Sequence, residues 1–446
     1  MVGQQQEIGN AAFFGTEKIT RILFRIALPT MLAQLIQALY NIVDSFFVGK
    51  YSESGLTALS IMYPVQLLMI AAAVGTGVGI NIEIARCLGI GRRKRADETA
   101  GVGTPLIFVL WLIFAVVGYF LMPVYAKMST DSPLVIADVI IYGRIVCVFG
   151  LGLFVESVWS KVLQAEGNMK QPMIAQIVGA LVNIVLDPIL IFGKLGMPEL
   201  GIEGAAIATV IGQMAAVLIV WRGGYRKPPV RKEFLPIIKQ IYKLGLPSIL
   251  MQSAYTFYIL GLNLILAGFS DQAVTALGLY YKWQTFFFIP LGALQTCIVP
   301  ILSFNFAAGK LERCRKTLRI SVAAGMALMM IGVICFEAAP GQLLHVFSSD
   351  EKVIEIGVTA FRIIALSFVP IVTTLIFPVF FQAIGQPVKS SALTIVRTVF
   401  LFVPLGWLLA HIGLSWFWLT FPITETVTTI LGAVLYRKFL QHYSGS

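Results

Sequence analysis

Asp44 and Asp187 lie within long apolar runs, where an ionisable side chain is costly and therefore a candidate functional group. Asp187 belongs to the stretch Asn183-Ile-Val-Leu-Asp187-Pro188. Asn183 and Asp187 are four residues apart, so a helix presents both on one face. Asp44 follows Pro29 by 15 residues, and Asp187 follows Pro172 by the same number. If both runs are helices entering from one side, each carboxylate lies about 22 Å along its axis, at one depth. Two neighbouring carboxylates in a bundle compete for protons and can take them up and release them. With Asn183 and Thr209 the same groups offer hard oxygen ligands to a small cation such as sodium. Pro188 removes a backbone donor and frees carbonyl groups beside the acid. The plainer reading is a hydrogen-bonded pair of acids that ties two helices together.

The runs that carry these residues dominate the chain. It is 58% hydrophobic and 12% charged, against roughly 25% charged in soluble domains. Apolar stretches of membrane-spanning length recur from end to end. The pattern predicts an all-α integral membrane protein with twelve spans. Six fall at about 22–49, 58–86, 99–124, 137–163, 172–194 and 202–222. Six more fall at about 240–268, 274–305, 317–346, 356–383, 390–411 and 414–437. The first run is too long for a signal peptide and reads as a retained span. Five cysteines without metal-ligand spacing, mostly in apolar runs, read as small packing residues.

Basic residues select one face. Arg92, Arg93, Lys94 and Arg95 follow span two, and Arg226, Lys227, Arg231 and Lys232 follow span six. Lys310, Arg313, Arg315 and Lys316 follow span eight, and Arg437-Lys438 close span twelve. The intervening loops carry few. Both termini are expected in the cytoplasm, and the net charge of +11 is assigned to topology rather than to nucleic acid.

A shift of 218 residues lays the chain on itself without a gap. Leu28-Pro29 falls on Leu246-Pro247, Tyr40 on Tyr258, Gly91 on Gly309, and Gln164-Ala165-x-Gly167 on Gln382-Ala383-x-Gly385. With six spans per copy, the halves enter from the same side, so a pseudo-two-fold axis along the membrane normal is expected to relate them. The division expected is residues 1–222 as one six-helix lobe, 223–239 as a cytoplasmic linker, and 240–446 as the second lobe. A duplicated membrane fold of this kind suggests a transporter. The same shift carries Asp44, Asn183 and Asp187 onto Leu262, Leu401 and Leu405. The polar cluster is confined to the first copy, which favours function over architecture.

Other intramembrane charges have no orientation from sequence. Glu156 is a weaker candidate, Glu83 and Arg86 suit a local ion pair, and Lys282, Arg397 and Glu425 stay unplaced. Aromatic and methionine side chains are abundant. Gln34, Tyr40, Met69, Tyr255, Lys282 and Phe286 are the candidates for a substrate cavity that accepts lipophilic cations. Gly75, Gly77 and Gly79 are read as sites of close helix approach. No Walker-type phosphate loop occurs, and His345, His411 and His442 are scattered, so nucleotide-driven transport and membrane enzymes are disfavoured.

Pro29 with Asp44, the Asn183-x-x-x-Asp187-Pro188 stretch, Gly204-Ala205-Ala206-x-Ala208-Thr209 and the repeated Gln-Ala-x-Gly motifs resemble the MATE (multidrug and toxic compound extrusion) family. The resemblance covers about Lys18 to Arg437 and is nearest the DinF-like branch, in which the first half carries the acids. It implies a proton- or sodium-driven antiporter of two six-helix lobes that exports lipophilic, cationic drugs or toxic compounds by alternating access. It further implies coupling at Asp44, Asn183, Asp187 and Thr209, with Pro29 as hinge. No cofactor beyond the coupling ion is expected. The partners expected are a small-molecule substrate and membrane lipids, for a monomer in the plasma membrane, a bacterial inner membrane being favoured. A flippase of lipid-linked substrates with a related fold is the alternative, kept open by Lys282, Arg362 and Arg397.

Overall fold

The computed structural model describes residues 12–444, which contain helices and no strand. Ten of the helices are long and apolar enough to cross a membrane, and the number is twelve when each of two bent pairs is taken as one span. The first copy contains α1 (Ile19–Tyr51), α2 (Glu53–Gly89), α3 (Arg93–Ser129), α4 (Pro133–Phe149), α5 (Leu151–Ala165), α6 (Lys170–Ile191) and α7 (Ile202–Gly224). The second contains α8 (Phe234–Ala267), α9 (Asp271–Phe287), α10 (Ile289–Ala307), α11 (Leu311–Ala338), α12 (Pro340–His345), α13 (Glu351–Ala365) and α14 (Phe368–Ala383). It ends with α15 (Pro387–Ile395), a π turn (Val396–Phe402), α16 (Val403–Ala410), α17 (Leu414–Phe417) and α18 (Thr420–Ser444).

Three spans expected to be continuous are broken. Span four bends by 43° between α4 and α5. The break falls at Gly150, where the Val146 carbonyl comes too near for any Cβ. Span ten bends by 55° between α13 and α14. There the Ser367 hydroxyl donates to the Ile364 carbonyl at 2.6 Å, and Pro370 supplies no N–H to continue the ladder. Span eight is interrupted at Phe288, just before Pro290 in the first turn of α10. Hydropathy counts apolar residues and does not register a missing donor.

The chain packs as two compact units, and these do not follow the repeat boundary. Leu28–Ile249 form the body of the first unit and Leu250–Ser446 that of the second, while Lys18–Ala27 belong with the second. Each copy's opening helix therefore changes unit partway along, α1 beside Pro29 and α8 shortly after Pro247.

Within the first unit, glycines let α2 meet the leading half of α8. A Cβ on Gly75 would collide with Ile249, and one on Gly79 with the Ile241 carbonyl. A Cβ on Gly245 would lie 2.5 Å from the Gly75 carbonyl oxygen. Gly77 faces α5, with Lys161 Cγ 2.8 Å from where its Cβ would be. Such spacing gives dispersion contact between backbones, which matters where lipid supplies no hydrophobic drive between helices. In the second unit aromatic rings fill the core, with Phe336 stacked on Phe361 at 4.5 Å and tilted against Phe368 at 5.0 Å.

The repeat is also visible in backbone torsions. Gly91 and Gly309 have φ of 75° and 70°, and Gly167 and Gly385 have 88° and 80°. These left-handed positions follow α2, α10, α5 and α14, where glycine ends a helix without steric cost. Gly79→Leu is expected to lower the thermal unfolding temperature of the detergent-solubilised protein, at a cost of about 1–3 kcal/mol from overpacking. Gly278→Leu is the control, because nothing lies within 4 Å of its added Cβ, and it should leave the melting curve in place.

Candidate functional site

α6 and α7 carry the centre of the site. They approach closely because Gly179 and Gly212 face one another. A Cβ on Gly179 would lie 2.9 Å from the Gly212 carbonyl oxygen, and one on Gly212 would lie 2.6 Å from that of Gly179. One turn further along α6, this brings Asn183 against Thr209. The Asn183 amide nitrogen is 3.3 Å from Asp187 Oδ1 and 3.4 Å from Thr209 Oγ1. Turned over, the amide donates to Asp187 Oδ2 at 3.3 Å and its oxygen accepts the Thr209 backbone N–H at 3.1 Å. Only the second orientation satisfies both amide ends. Asn183, Asp187 and Thr209 are 2%, 0% and 8% exposed.

α1 brings the second carboxylate. Gln37, Tyr40 and Asp44 follow at spacings of three and four, so they share a face. Asp44 is buried, and its Oδ1 has no hydrogen-bond partner among the described residues. Asp44 and Asp187 lie within electrostatic range of each other, and Tyr40 within range of both. Neither carboxylate is in an ion pair with a described residue. A buried negative charge without a partner is strongly unfavourable, so these acids require a proton or a bound cation.

A cavity of about 100 Å³ adjoins them. Tyr40, Asn183 and Thr209 line it together with Gln37, Glu156, Gln176 and Gln213. Glu156, a weaker candidate from the sequence, thus belongs to the wall, whereas Gln37, Gln176 and Gln213 are the part of the site that reading the sequence for charge does not find. The signal available was polar residues at helical spacing on the faces of Asp44, Asn183 and Thr209. Glu156 also accepts a hydrogen bond from the Ser160 hydroxyl at 2.6 Å. Nearby, the buried Tyr142 hydroxyl is 3.2 Å from Gln66 Nε2.

The expected substrate cavity residues disperse. Met69 is corrected: it is fully buried, with Cys147 Sγ 3.9 Å from its sulfur, and packs in the first unit's core rather than lining a cavity. Gln34 is half-buried and lines neither of the two cavities described here. Lys282 is exposed, its Nζ 5.0 Å from the Phe347 ring centre, and Phe286 packs near Trp283 at 6.5 Å. Tyr255 lines a different cavity, of about 240 Å³, within the second unit. Glu83 and Arg86 pair locally at 3.6 Å, as their spacing predicts.

That second cavity adjoins two charges the sequence left unplaced. Arg397 binds Glu425 through Nη2 at 2.6 Å and through Nε at 3.0 and 3.1 Å. Thr374 donates to Glu425 at 2.6 Å.

Comparison with known proteins fits this architecture. The MatE family model matches residues 29–189 and again 247–408, so the two matches begin 218 residues apart. The chain belongs to the MatE family, a family of multi-pass membrane transporters rather than enzymes. It is 25% identical over 429 residues to a FAD transporter of Shewanella oneidensis, covering 92% of this chain and 93% of that one. It is 23% identical over 396 residues to the multidrug export protein MepA of Staphylococcus aureus, covering 86% of each. Among solved structures it superposes on MATE in complex with MaL6 with a TM-score of 0.90 at 22% identity, over 98% of this chain and 99% of that one. A MOP superfamily transporter from Pyrococcus furiosus, described as having a binding pocket of reverse polarity, gives 0.89 at 22% identity, over 97% and 98%.

The second matched segment is one residue longer than the first. The π turn Val396–Phe402 in the second copy, where α6 of the first is regular, accommodates one extra residue. Past that turn the register becomes 219, which places Phe402 and Gly406 opposite Asn183 and Asp187. The second copy lacks the acid in either register.

Arg397→Ala would leave Glu425 buried and unpaired. It is expected to cost about 3–5 kcal/mol of stability, seen as a large drop in melting temperature. The double variant Arg397→Gln/Glu425→Gln should recover most of that loss.

Proposed function

We propose that this chain is a cation-coupled antiporter that exports small molecules across the plasma membrane by alternating access. The observation that carries the reading is the buried, unpartnered Asp44 Oδ1 beside Asp187, Asn183 and Thr209. A proton or sodium ion there neutralises charge that the fold leaves uncompensated. Asp44 and Asp187 are the coupling carboxylates. Asn183 orients Asp187, and Thr209 completes the oxygen set.

The change of unit beside Pro29 supports that residue as the hinge. Uptake of the cation by the first unit then disfavours substrate in the same conformation, because two ligands that prefer different states oppose one another. The basic loops support cytoplasmic termini in a bacterial inner membrane, with the chain acting as a monomer. The relative named as a multidrug export protein supports drugs or toxic compounds as cargo, and the FAD transporter supports an anionic nucleotide. Export of lipophilic cations is the reading that the acid-lined first cavity favours. The flippase reading gains less support, since Lys282 lies at neither cavity and a single basic residue, Arg397, lines the second.

The test is efflux of a fluorescent cation from vesicles under an imposed proton or sodium gradient. Wild-type flux should follow one of the two gradients. Asp44→Asn and Asp187→Asn should each abolish the gradient dependence while leaving folding intact. Unchanged flux in both variants would falsify the coupling model.

A further inference from the structure

The two cavities share six repeat-related positions and carry opposite charge. The 218-residue shift carries Gln37, Leu153 and Gln176 onto Tyr255, Ile371 and Thr394, and all of these line their respective cavities. It carries Glu156 onto Thr374, and Gly179-Ala180 onto Arg397-Thr398, which again are lining residues. Each unit thus builds a cavity from the same faces of its first, fourth and fifth spans. The first cavity is lined by an acid, Glu156, and by no lysine or arginine. The second is lined by Arg397 and by no aspartate or glutamate.

The ion pair with Glu425 does not cancel this difference. Glu425 is 1% exposed and lies outside the lining, and it accepts a hydrogen bond from the lining residue Thr374. It engages Nε and Nη2 of Arg397, whose guanidinium also lies 5.9 Å from the Tyr258 ring centre and 5.1 Å from that of Phe402, while Arg397 itself stays part of the cavity wall. The carboxylate fixes the guanidinium plane, and a fixed guanidinium is the side chain suited to planar oxyanions. Arg397 also sits in the π turn, a helical irregularity that recurs at functional sites. The remaining wall carries the side-chain amides of Gln284 and Gln295, which retain N–H groups that can donate to an acceptor.

We propose that the second-unit cavity binds the oxyanion, carboxylate or phosphate, of those transported molecules that carry one beside or in place of a cationic group, with Arg397 as its positive end. This rests on the reading that the chain moves small molecules, and not on cation coupling in the first unit.

Isothermal titration calorimetry on the purified full chain tests it with two matched pairs. FMN against riboflavin isolates a phosphate, and indole-3-acetate against indole-3-acetamide isolates a carboxylate. The wild type should prefer the anionic member of at least one pair by about tenfold or more, the scale of one charge-assisted hydrogen bond. Arg397→Gln/Glu425→Gln, which leaves no unpaired buried acid, should lose the preference. Arg397→Lys should weaken it, because it keeps the charge but loses the guanidinium orientation that Glu425 fixes. Equal or absent binding within both pairs for the wild type overturns the proposal. So does a preference that survives in the folded double variant or, if that variant fails to fold, one unchanged in Arg397→Lys. Loss of gradient-driven efflux in Asp44→Asn with the anion preference retained would separate this site from the coupling site.

Discussion

A charge placed inside a helical bundle must be matched by an opposite charge, a proton or a set of donors, and this requirement organises the whole chain. The two units meet it differently. In the second, Arg397 and Glu425 neutralise each other directly and Thr374 supplies a further donor. In the first, Asp44 and Asp187 have no basic partner, and Asn183 and Thr209 offer only part of what the acids need. One unit pairs its buried charges with each other and the other leaves its acids without a basic partner among the described residues, and that contrast is what supports the proposed coupling role of the first unit.

Small residues make both arrangements reachable. Gly179 and Gly212 bring α6 within reach of α7, so that Asn183 spans from Asp187 to Thr209. At the position equivalent to Gly179 the second copy carries Arg397, and there the helix takes a π turn. The same backbone site therefore serves close packing in one copy and a charged wall in the other. Duplication supplies two cavities that share lining positions, and single differences at matched positions give their walls opposite charge.

Much of the architecture was legible beforehand. Apolar runs of spanning length, the 218-residue self-match and the glycines at 75, 77 and 79 led to the twelve-span duplicated fold and to its close helix contacts. Asp44, Asn183 and Asp187 were legible for a different reason: polar groups in apolar spans are rare enough to be noticed singly. Gln37, Gln176 and Gln213 were not noticed, because an uncharged amide in a span does not stand out until its neighbours are known. Met69 was misplaced on similar grounds, since a methionine in a span reads the same whether it faces a cavity or Cys147.

The sequence by itself determined the apolar spans, the duplication and the confinement of Asp44, Asn183 and Asp187 to the first copy, because these follow from composition and periodicity along one dimension. Only the tertiary structure decided that Arg397 belongs to Glu425, that the opening helix of each copy divides between the units, and that a cavity in each unit reuses the same positions. Those facts depend on the rotation of each helix about its axis and on which face meets which neighbour. Sequence spacing fixes faces within a helix but not the partner each face will find.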